Sequence, residues 1–134
     1  MAGYSGTPLI KKLGIAEGMR LSVLNAPIEF WKEIGKVPEV EALGVPTKGM
    51  DFILYFVDNK KDLKREFKKL AKTIKKNAMI WISWPKKAAK VTTDLDEGVV
   101  RELGLAAGLV DVKVCAITEK WSGLKFVYRT KDRK

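Results

Sequence analysis

Three short apolar stretches of the sequence end in polar residues whose side chains could bind a ligand. These polar residues are Asn25, Asp58, Asn59 and Ser83. If the three stretches are neighbouring parallel strands, their carboxyl ends meet at the sheet edge where open α/β sheets bind ligands. Amide, carboxylate and hydroxyl groups placed there could hydrogen-bond a small molecule. The alternative is that the same residues cap helices and close turns, as Asn and Asp often do.

A basic loop follows the third stretch. Trp84 and Pro85 are followed by Lys86 and Lys87, and Lys90 lies a few residues further on. The indole could form an apolar wall and the ammonium groups could pair with negative charge. Binding residues concentrate on loops carried by a rigid scaffold, so this loop favours a small anionic ligand.

Another tryptophan, Trp121, lies in residues 118–123, between two apolar stretches near the carboxyl terminus. An indole in such a turn either packs back onto the core or contacts a ligand or a protein partner. The sequence leaves both interpretations open.

The composition removes most common catalytic machinery. The chain has no histidine and one cysteine, Cys115, which lies in an apolar stretch. Histidine-based nucleophile systems and zinc sites with imidazole ligands are therefore excluded. There is no glycine-rich cofactor loop and no metal-ligand cluster. These features favour a non-catalytic protein without a metal or cofactor, and they assign no catalytic residue.

The positive charge is concentrated in one part of the chain. The formal net charge is +10, and residues 60–76 carry many of the lysines. Lys64, Lys68, Lys72 and Lys75 could bind the phosphate backbone of a nucleic acid, with a steep dependence on salt. The alternative is a solvated helix face, because exposed aromatic residues of the kind that stack on single strands are absent from this segment.

These candidate residues must be positioned by regular elements, and a long helix over residues 60–76 is the clearest of them. Its apolar positions recur at helical spacing and leave the lysines on the opposite side. The apolar residues are Leu63, Phe67, Leu70, Ala71 and Ile74.

Three further helices are predicted, and the first is capped by Thr7, has Pro8 in its first turn and ends before Gly14. The second begins after Pro27 and places Ile28, Trp31 and Ile34 on one face. The third covers residues 93–107 and opens with a capping box of Thr93 and Asp96. Its expected buried residues are Leu95, Val99, Leu103 and Ala106.

Unbroken apolar runs predict strands over residues 20–24, 51–57 and 78–84. Continuous runs are typical of strands covered on both faces in a parallel sheet. Residues 110–117 and 124–129 are joined closely enough to form an antiparallel hairpin.

Alternating strands and helices predict an α/β fold of three layers, in which a mostly parallel sheet ends in an antiparallel hairpin. We expect one domain over residues 1–129 and a disordered basic tail over 130–134. No apolar stretch reaches the length of a membrane span and no signal peptide is evident, so we expect a cytoplasmic protein without a membrane partner.

Several specific strings resemble those of small bacterial proteins grouped as a domain of unknown function, DUF3052. The strings are SGTPL at 5–9, LNAP at 24–27, SWPKKA at 83–88, GLVDVKVCA at 108–116 and WSGLK at 121–125. This resemblance spans nearly the whole chain and implies no activity.

The part from residue 51 onward is also similar in layout to the carboxyl half of class I methyltransferases that use S-adenosylmethionine. That family implies a Rossmann-like fold whose last two strands form an antiparallel hairpin. It also implies a glycine-rich turn after the first strand, where this chain has LNAP, and an acidic ribose ligand, for which only Glu39 or Glu41 is at hand. The similarity therefore implies a shortened, degenerate relative.

Three functions follow as hypotheses. The first is a non-catalytic module of Rossmann-like fold that binds a ligand or a protein. The alternatives are a methyltransferase-like enzyme with S-adenosylmethionine as cofactor, and a protein that binds nucleic acid through the basic helix.

Overall fold

The computed structural model describes residues 7–133. Residues 1–6 and 134, which include the start of the SGTPL string and the end of the predicted tail, lie outside it. One six-stranded sheet in the order β2-β1-β3-β4-β6-β5 organises the molecule. Its strands are β1 (Arg20–Leu24), β2 (Glu41–Ala42), β3 (Met50–Phe56), β4 (Ile74–Pro85), β5 (Leu109–Ala116) and β6 (Trp121–Tyr128).

The first four strands are parallel, whereas β6 runs antiparallel to both β4 and β5. The mostly parallel sheet with a C-terminal antiparallel hairpin is therefore confirmed. Within residues 7–133, no helix has the length and apolar character needed to cross a membrane.

Helices cover both faces of the sheet and make the fold three-layered. They are α1 (Leu9–Leu13), α2 (Ile28–Ile34), α3 (Lys60–Ala71) and α4 (Glu97–Ala106). The core on the α1 and α2 side contains Phe30, Phe52 and Trp81, and the core on the α3 and α4 side is centred on Phe67 and Phe126. Strand β3 contributes to both cores, as its unbroken apolar sequence predicts.

The chain leaves the adjacent strands β1 and β3 in opposite directions. Helix α2 packs on one face and leads outward from β1 to β2, whereas α3 packs on the other face and leads from β3 to β4. The carboxyl ends of β1 and β3 thus form a topological switch point, where neither connecting helix covers the crevice.

Helix α3 is shorter than predicted, because it ends at Ala71 and not near residue 76. The Thr73 backbone amide and hydroxyl both donate to the Leu70 carbonyl, and the Thr73 carbonyl accepts from the amides of Gly49 and Met50. Strand β4 then begins at Ile74, which is buried as expected but belongs to the sheet.

The structure corrects the predicted buried faces of α2 and α4. In α2 the buried residues are Phe30 and Ile34, while Ile28 and Trp31 are 76% and 52% exposed. Helix α4 begins after Asp96, whose side chain accepts from the Val99 amide.

The predicted capping box is therefore absent from α4, because the Thr93 hydroxyl donates to the Asp58 carbonyl. Val100 and Gly104 are the buried residues of α4. Leu95 is buried just before the helix, Val99 and Leu103 are half-buried, and Ala106 is exposed.

The described residues end in one short turn, within the segment predicted to be a disordered tail. Thr130–Asp132 form a single 3-10 turn, and the Arg133 guanidinium donates to the Tyr128 carbonyl.

Gly104 allows α4 to pack directly against β6. A Cβ atom at this position would lie 2.0 Å from a ring carbon of Phe126, which is fully buried and stacks edge-on against Phe67. Gly98, at the exposed start of the same helix, has only a side-chain oxygen of Asp96 at 3.4 Å.

We expect Gly104→Ala to lower the free energy of unfolding by about 1–3 kcal/mol, because overpacking outweighs the gain in helix propensity. Gly98→Ala is the matched control and should be neutral or slightly stabilising. Urea denaturation of both variants measures the difference, and a stabilised Gly104→Ala would contradict the close approach.

Candidate ligand-binding site at the switch point

A cavity of about 210 Å³ lies at the switch point between β1 and β3. We call it the switch-point pocket. The polar and aromatic residues that line it are Asn25, Tyr55, Phe56, Asp58, Asp62 and Trp121. Asn25 and Asp58, far apart in the sequence, are therefore brought together as predicted.

Asn25 forms the turn that leads from β1 into α2. Its φ of 58° lies in the left-handed region, which Asn occupies more readily than other residues that carry a Cβ. Asn therefore replaces the glycine that such a turn favours. The side chain is exposed and makes no hydrogen bond with residues 7–133, so its amide is available at the mouth of the pocket.

Asn59 is a helix cap and not a free ligand group. Its side-chain oxygen accepts from the Asp62 amide at the start of α3. Its side-chain nitrogen donates to the carboxylates of Asp58 at 2.8 Å and Asp62 at 3.0 Å. Asn59 thus holds both carboxylates at the edge of the pocket.

The carboxylate of Asp62 is kept ionised by its neighbours. The Asn59 amide donates to it and the Arg65 guanidinium lies 3.1 Å away, so the pKa of Asp62 is lowered. Asp58 is exposed and lines the pocket beside it.

Tyr55 also lines the pocket, and the sequence did not predict it as a site residue. Its side chain is 5% exposed, and its hydroxyl makes no hydrogen bond within the described part of the chain. Burial, together with the negative charges of Asp62 and Glu66, raises the pKa of Tyr55. The hydroxyl therefore stays protonated at neutral pH and can donate to a ligand. Its position inside an apolar strand gave no signal for this role.

Trp121 packs onto the core and also faces the pocket. It opens β6, pairs with Pro85 and meets Phe56 edge-on with 5.2 Å between ring centroids. The half-buried indole forms one wall of the switch-point pocket. The packing role considered for Trp121 is therefore observed, and its contact with a ligand stays a prediction.

Ser83 lines neither the switch-point pocket nor a neighbouring cleft, and Trp84 lies apart from Asn25 and Asp58, beside Lys86 and Lys87. Ser83 is fully buried, and its hydroxyl donates to the Ser122 carbonyl at 2.7 Å. Trp84 is only 5% exposed and belongs to the core under α3 and α4. The cause is β6, which pairs with β4 as far as Pro85 and covers this end of the strand.

A separate cleft of about 610 Å³ is lined by Trp84, Lys86 and Lys87, and it shares no lining residue with the switch-point pocket. The predicted neighbours Trp84, Lys86 and Lys87 therefore do lie together. The two lysine ammonium groups make no ion pair with residues 7–133. The same cleft contains Asp94, Asp96 and Glu97. The predicted rim is thus divided into a pocket without lysines and a cleft of mixed charge.

The four lysines proposed for nucleic-acid binding do not share one helix. Lys64 and Lys68 are exposed on α3, but Lys72 is its C-cap and Lys75 lies on β4. The Lys75 ammonium pairs with the Asp51 carboxylate at 2.8 Å. The four lysines therefore do not form one continuous row of unpaired ammonium groups along α3. Only Lys64 and Lys68 lie exposed within that helix.

The residues described, 7–133, contain no group of acidic, histidine or cysteine side chains that could hold a metal ion. Cys115 is half-buried, and burial raises the pKa of its thiol. It packs on the α1 and α2 side of the sheet, away from the pocket.

Comparison with known proteins finds one matching family by sequence and several solved structures with a similar fold. The sequence model of a family described as "Protein of unknown function (DUF3052)" matches residues 47–130. No curated protein matches the sequence.

Solved structures of methyltransferases share the fold. A SAM-dependent methyltransferase from Aquifex aeolicus aligns with a TM-score of 0.57 and 16% identity, covering 88% of this chain and 86% of that one. Magnesium protoporphyrin IX methyltransferase from Synechocystis PCC 6803 with bound SAM gives 0.59 and 8%, covering 90% and 74%. Ribosomal protein L11 methylase from Lactobacillus delbrueckii subsp. bulgaricus gives 0.56 and 6%, covering 90% and 75%. The Rossmann-like, methyltransferase-like fold is confirmed.

The residues at the switch point do not fit S-adenosylmethionine. Dinucleotide-type sites hold the ribose with an acid beyond the second strand, on the same edge as the first turn. Glu41 instead opens β2 and pairs with Arg20 at the start of β1, about 13 Å along the strand from its carboxyl end. Beyond β2 the chain continues with Leu43, Gly44 and Val45, without an acid.

The Asp51–Lys75 pair predicts a pH dependence of stability. Burial alone would raise the pKa of Asp51, but the Arg20 amide and the Lys75 ammonium outweigh it, so the pKa is lowered from 3.8. The carboxylate therefore stabilises the fold above about pH 4, and this contribution is lost as pH falls through the lowered folded pKa.

We expect Asp51→Asn to lower the free energy of unfolding by about 1 kcal/mol at pH 7. The difference from the native protein should shrink below about pH 4. Glu119→Gln, at an exposed position without an ion pair, is the control. Denaturant unfolding at several pH values measures this, and a loss independent of pH would contradict the assignment.

Proposed function

The chain belongs to the DUF3052 family of proteins of unknown function, and from that premise we propose that it is a non-catalytic module that binds a small polar ligand in the switch-point pocket. The observation that carries the proposal is the pocket itself. It lies where open α/β sheets bind ligands and presents hydrogen-bonding groups that the fold does not use.

Two of these groups are free and complementary in chemistry. The Tyr55 hydroxyl can donate, and the Asn25 side chain can both donate and accept. The Asp58 carboxylate keeps acceptor capacity beyond its one bond from Asn59. The Trp121 ring offers an apolar wall across from them. This combination of one wall and a few placed polar groups is typical of small-molecule sites.

The charges of the pocket favour a neutral or positively charged ligand that carries hydrogen-bond donors. Asp58 and Asp62 are its charged residues, whereas Lys86 and Lys87 line the other cleft. A cation could also lie over the face of Trp121. The anionic ligand that the lysines suggest would have to bind in the second cleft, against Asp94, Asp96 and Glu97.

The protonation states of the pocket support binding without catalysis. The raised pKa of Tyr55 keeps its proton in place, and the lowered pKa of Asp62 leaves that carboxylate without one. A general acid or base near neutral pH needs a pKa close to 7, which neither shift provides. The sequence has no histidine to supply it.

The methyltransferase alternative has the support of the shared fold, since one neighbour contains bound SAM. It lacks support from the site, because the acid beyond β2 and the glycine turn are both missing. The pocket of about 210 Å³ is also smaller than the ~300–1,000 Å³ usual for ligands of drug size.

A ¹H–¹⁵N NMR titration with ethanolamine, tyramine and benzoate tests the proposal. We expect the two amines to shift the Asn25 side-chain amide and the Trp121 indole N–H, and benzoate to leave both unchanged. Asp58→Asn should weaken amine binding at least about fivefold, since a charge-assisted hydrogen bond is lost.

Lys87→Gln, in the second cleft, is the matched control and should bind the amines as the native protein does. Benzoate shifts at Asn25, or amine affinity unaffected by Asp58→Asn, would overturn the proposed site.

A further inference from the structure

A third cavity, of about 380 Å³, lies between α2 and the outer strands β1 and β2. We call it the edge pocket. Leu21 and Val23 of β1 form its floor, and Phe30, Trp31 and Ile34 of α2 form one wall. It shares no lining residue with the switch-point pocket.

The exposed surface around the edge pocket is unusually apolar. Ile28 and Trp31 lie one turn apart on α2 and are 76% and 52% exposed, and Val37 at the pocket wall is also exposed. The side chains that line the pocket are apolar except for Glu39. A volume and lining of this kind match sites that take the hydrophobic part of a small molecule.

An acidic shelf adjoins the apolar pocket. A shallow depression of about 440 Å³ shares Glu39 and Val40 with the edge pocket and is also lined by Glu17 and Glu41. Glu41 pairs with Arg20 at 3.4 Å. The carboxylates of Glu17 and Glu39 make no hydrogen bond or ion pair with the described residues.

This local charge is opposite to that of the whole protein. The chain carries a net charge of +10, yet the shelf presents two unpaired carboxylates, and neither cavity has a basic side chain in its lining. A ligand that complements this site therefore carries a positively charged group at the shelf and an apolar group in the pocket.

We propose that the edge pocket binds an amphipathic organic cation, with its apolar part between α2 and β1 and its ammonium group at Glu17 and Glu39. The half-exposed Trp31 ring closes over the apolar part of the ligand. The site is independent of the proposed function at the switch point.

Octylamine, octanol and octanoate have the same chain length, so together they separate the contribution of the charged group from that of the apolar chain. Each is titrated by calorimetry below its aggregation limit. We expect octylamine to bind most tightly, octanol more weakly and octanoate most weakly. Trp31 fluorescence should change on binding, and Trp31→Phe should remove that change.

Two variants assign the parts of the site. Glu39→Gln should weaken octylamine binding roughly two- to fivefold and leave octanol unchanged, because one partly solvated charge is removed. Ala42→Phe, at an exposed position of β2 that lines the pocket, should abolish binding of both by filling the cavity.

Glu29→Gln is the control, because Glu29 lies on α2 but lines neither the edge pocket nor the acidic shelf. Octanoate bound as tightly as octylamine would overturn the charge assignment. Failure of all three probes to bind, or Ala42→Phe without effect while its unfolding curve is native-like, would overturn the site.

Discussion

Burial of β3 on both faces is the constraint on which the rest of the structure depends. Phe52, Leu54 and Phe56 point to the α1 and α2 side, whereas Ile53, Tyr55 and Val57 point to the α3 side. Such a strand must be covered twice, so the helices that follow β1 and β3 occupy opposite faces. The crevice between the two strand ends is left uncovered as a consequence. The switch-point pocket therefore results from how the core is filled.

The sequence predicts the parts of the fold that depend on local pattern. The strand ending at Leu24, the doubly buried β3, the cap at Asn59 and the C-terminal hairpin all follow from residue type and spacing. The fate of Ser83 and Trp84 could not be predicted in this way. It depends on β6 pairing along β4 to Pro85, a contact between segments far apart in the chain.

The sequence predicts which edge of the sheet carries the site, but it does not predict which side chains line the pocket there. Asn25 and Asp58 meet because parallel strands end together, which the sequence allows one to anticipate. Tyr55 lies within an apolar run of the sequence, and only the structure shows that this residue lines the pocket. Trp121, which packs edge-on against Phe56, lines the switch-point pocket but not the cleft of Lys86 and Lys87.

We propose that this chain has a methyltransferase-like fold but binds a different kind of ligand at its switch point. The turn at Asn25 has no glycine, and residues 43–45 beyond β2 contain no acid. Calorimetric titration of the native protein with S-adenosylmethionine and with its demethylated product S-adenosylhomocysteine tests this most directly. We expect neither compound to bind the protein with micromolar affinity. Micromolar binding of S-adenosylmethionine, lost in Asp58→Asn, would contradict it and favour an enzyme.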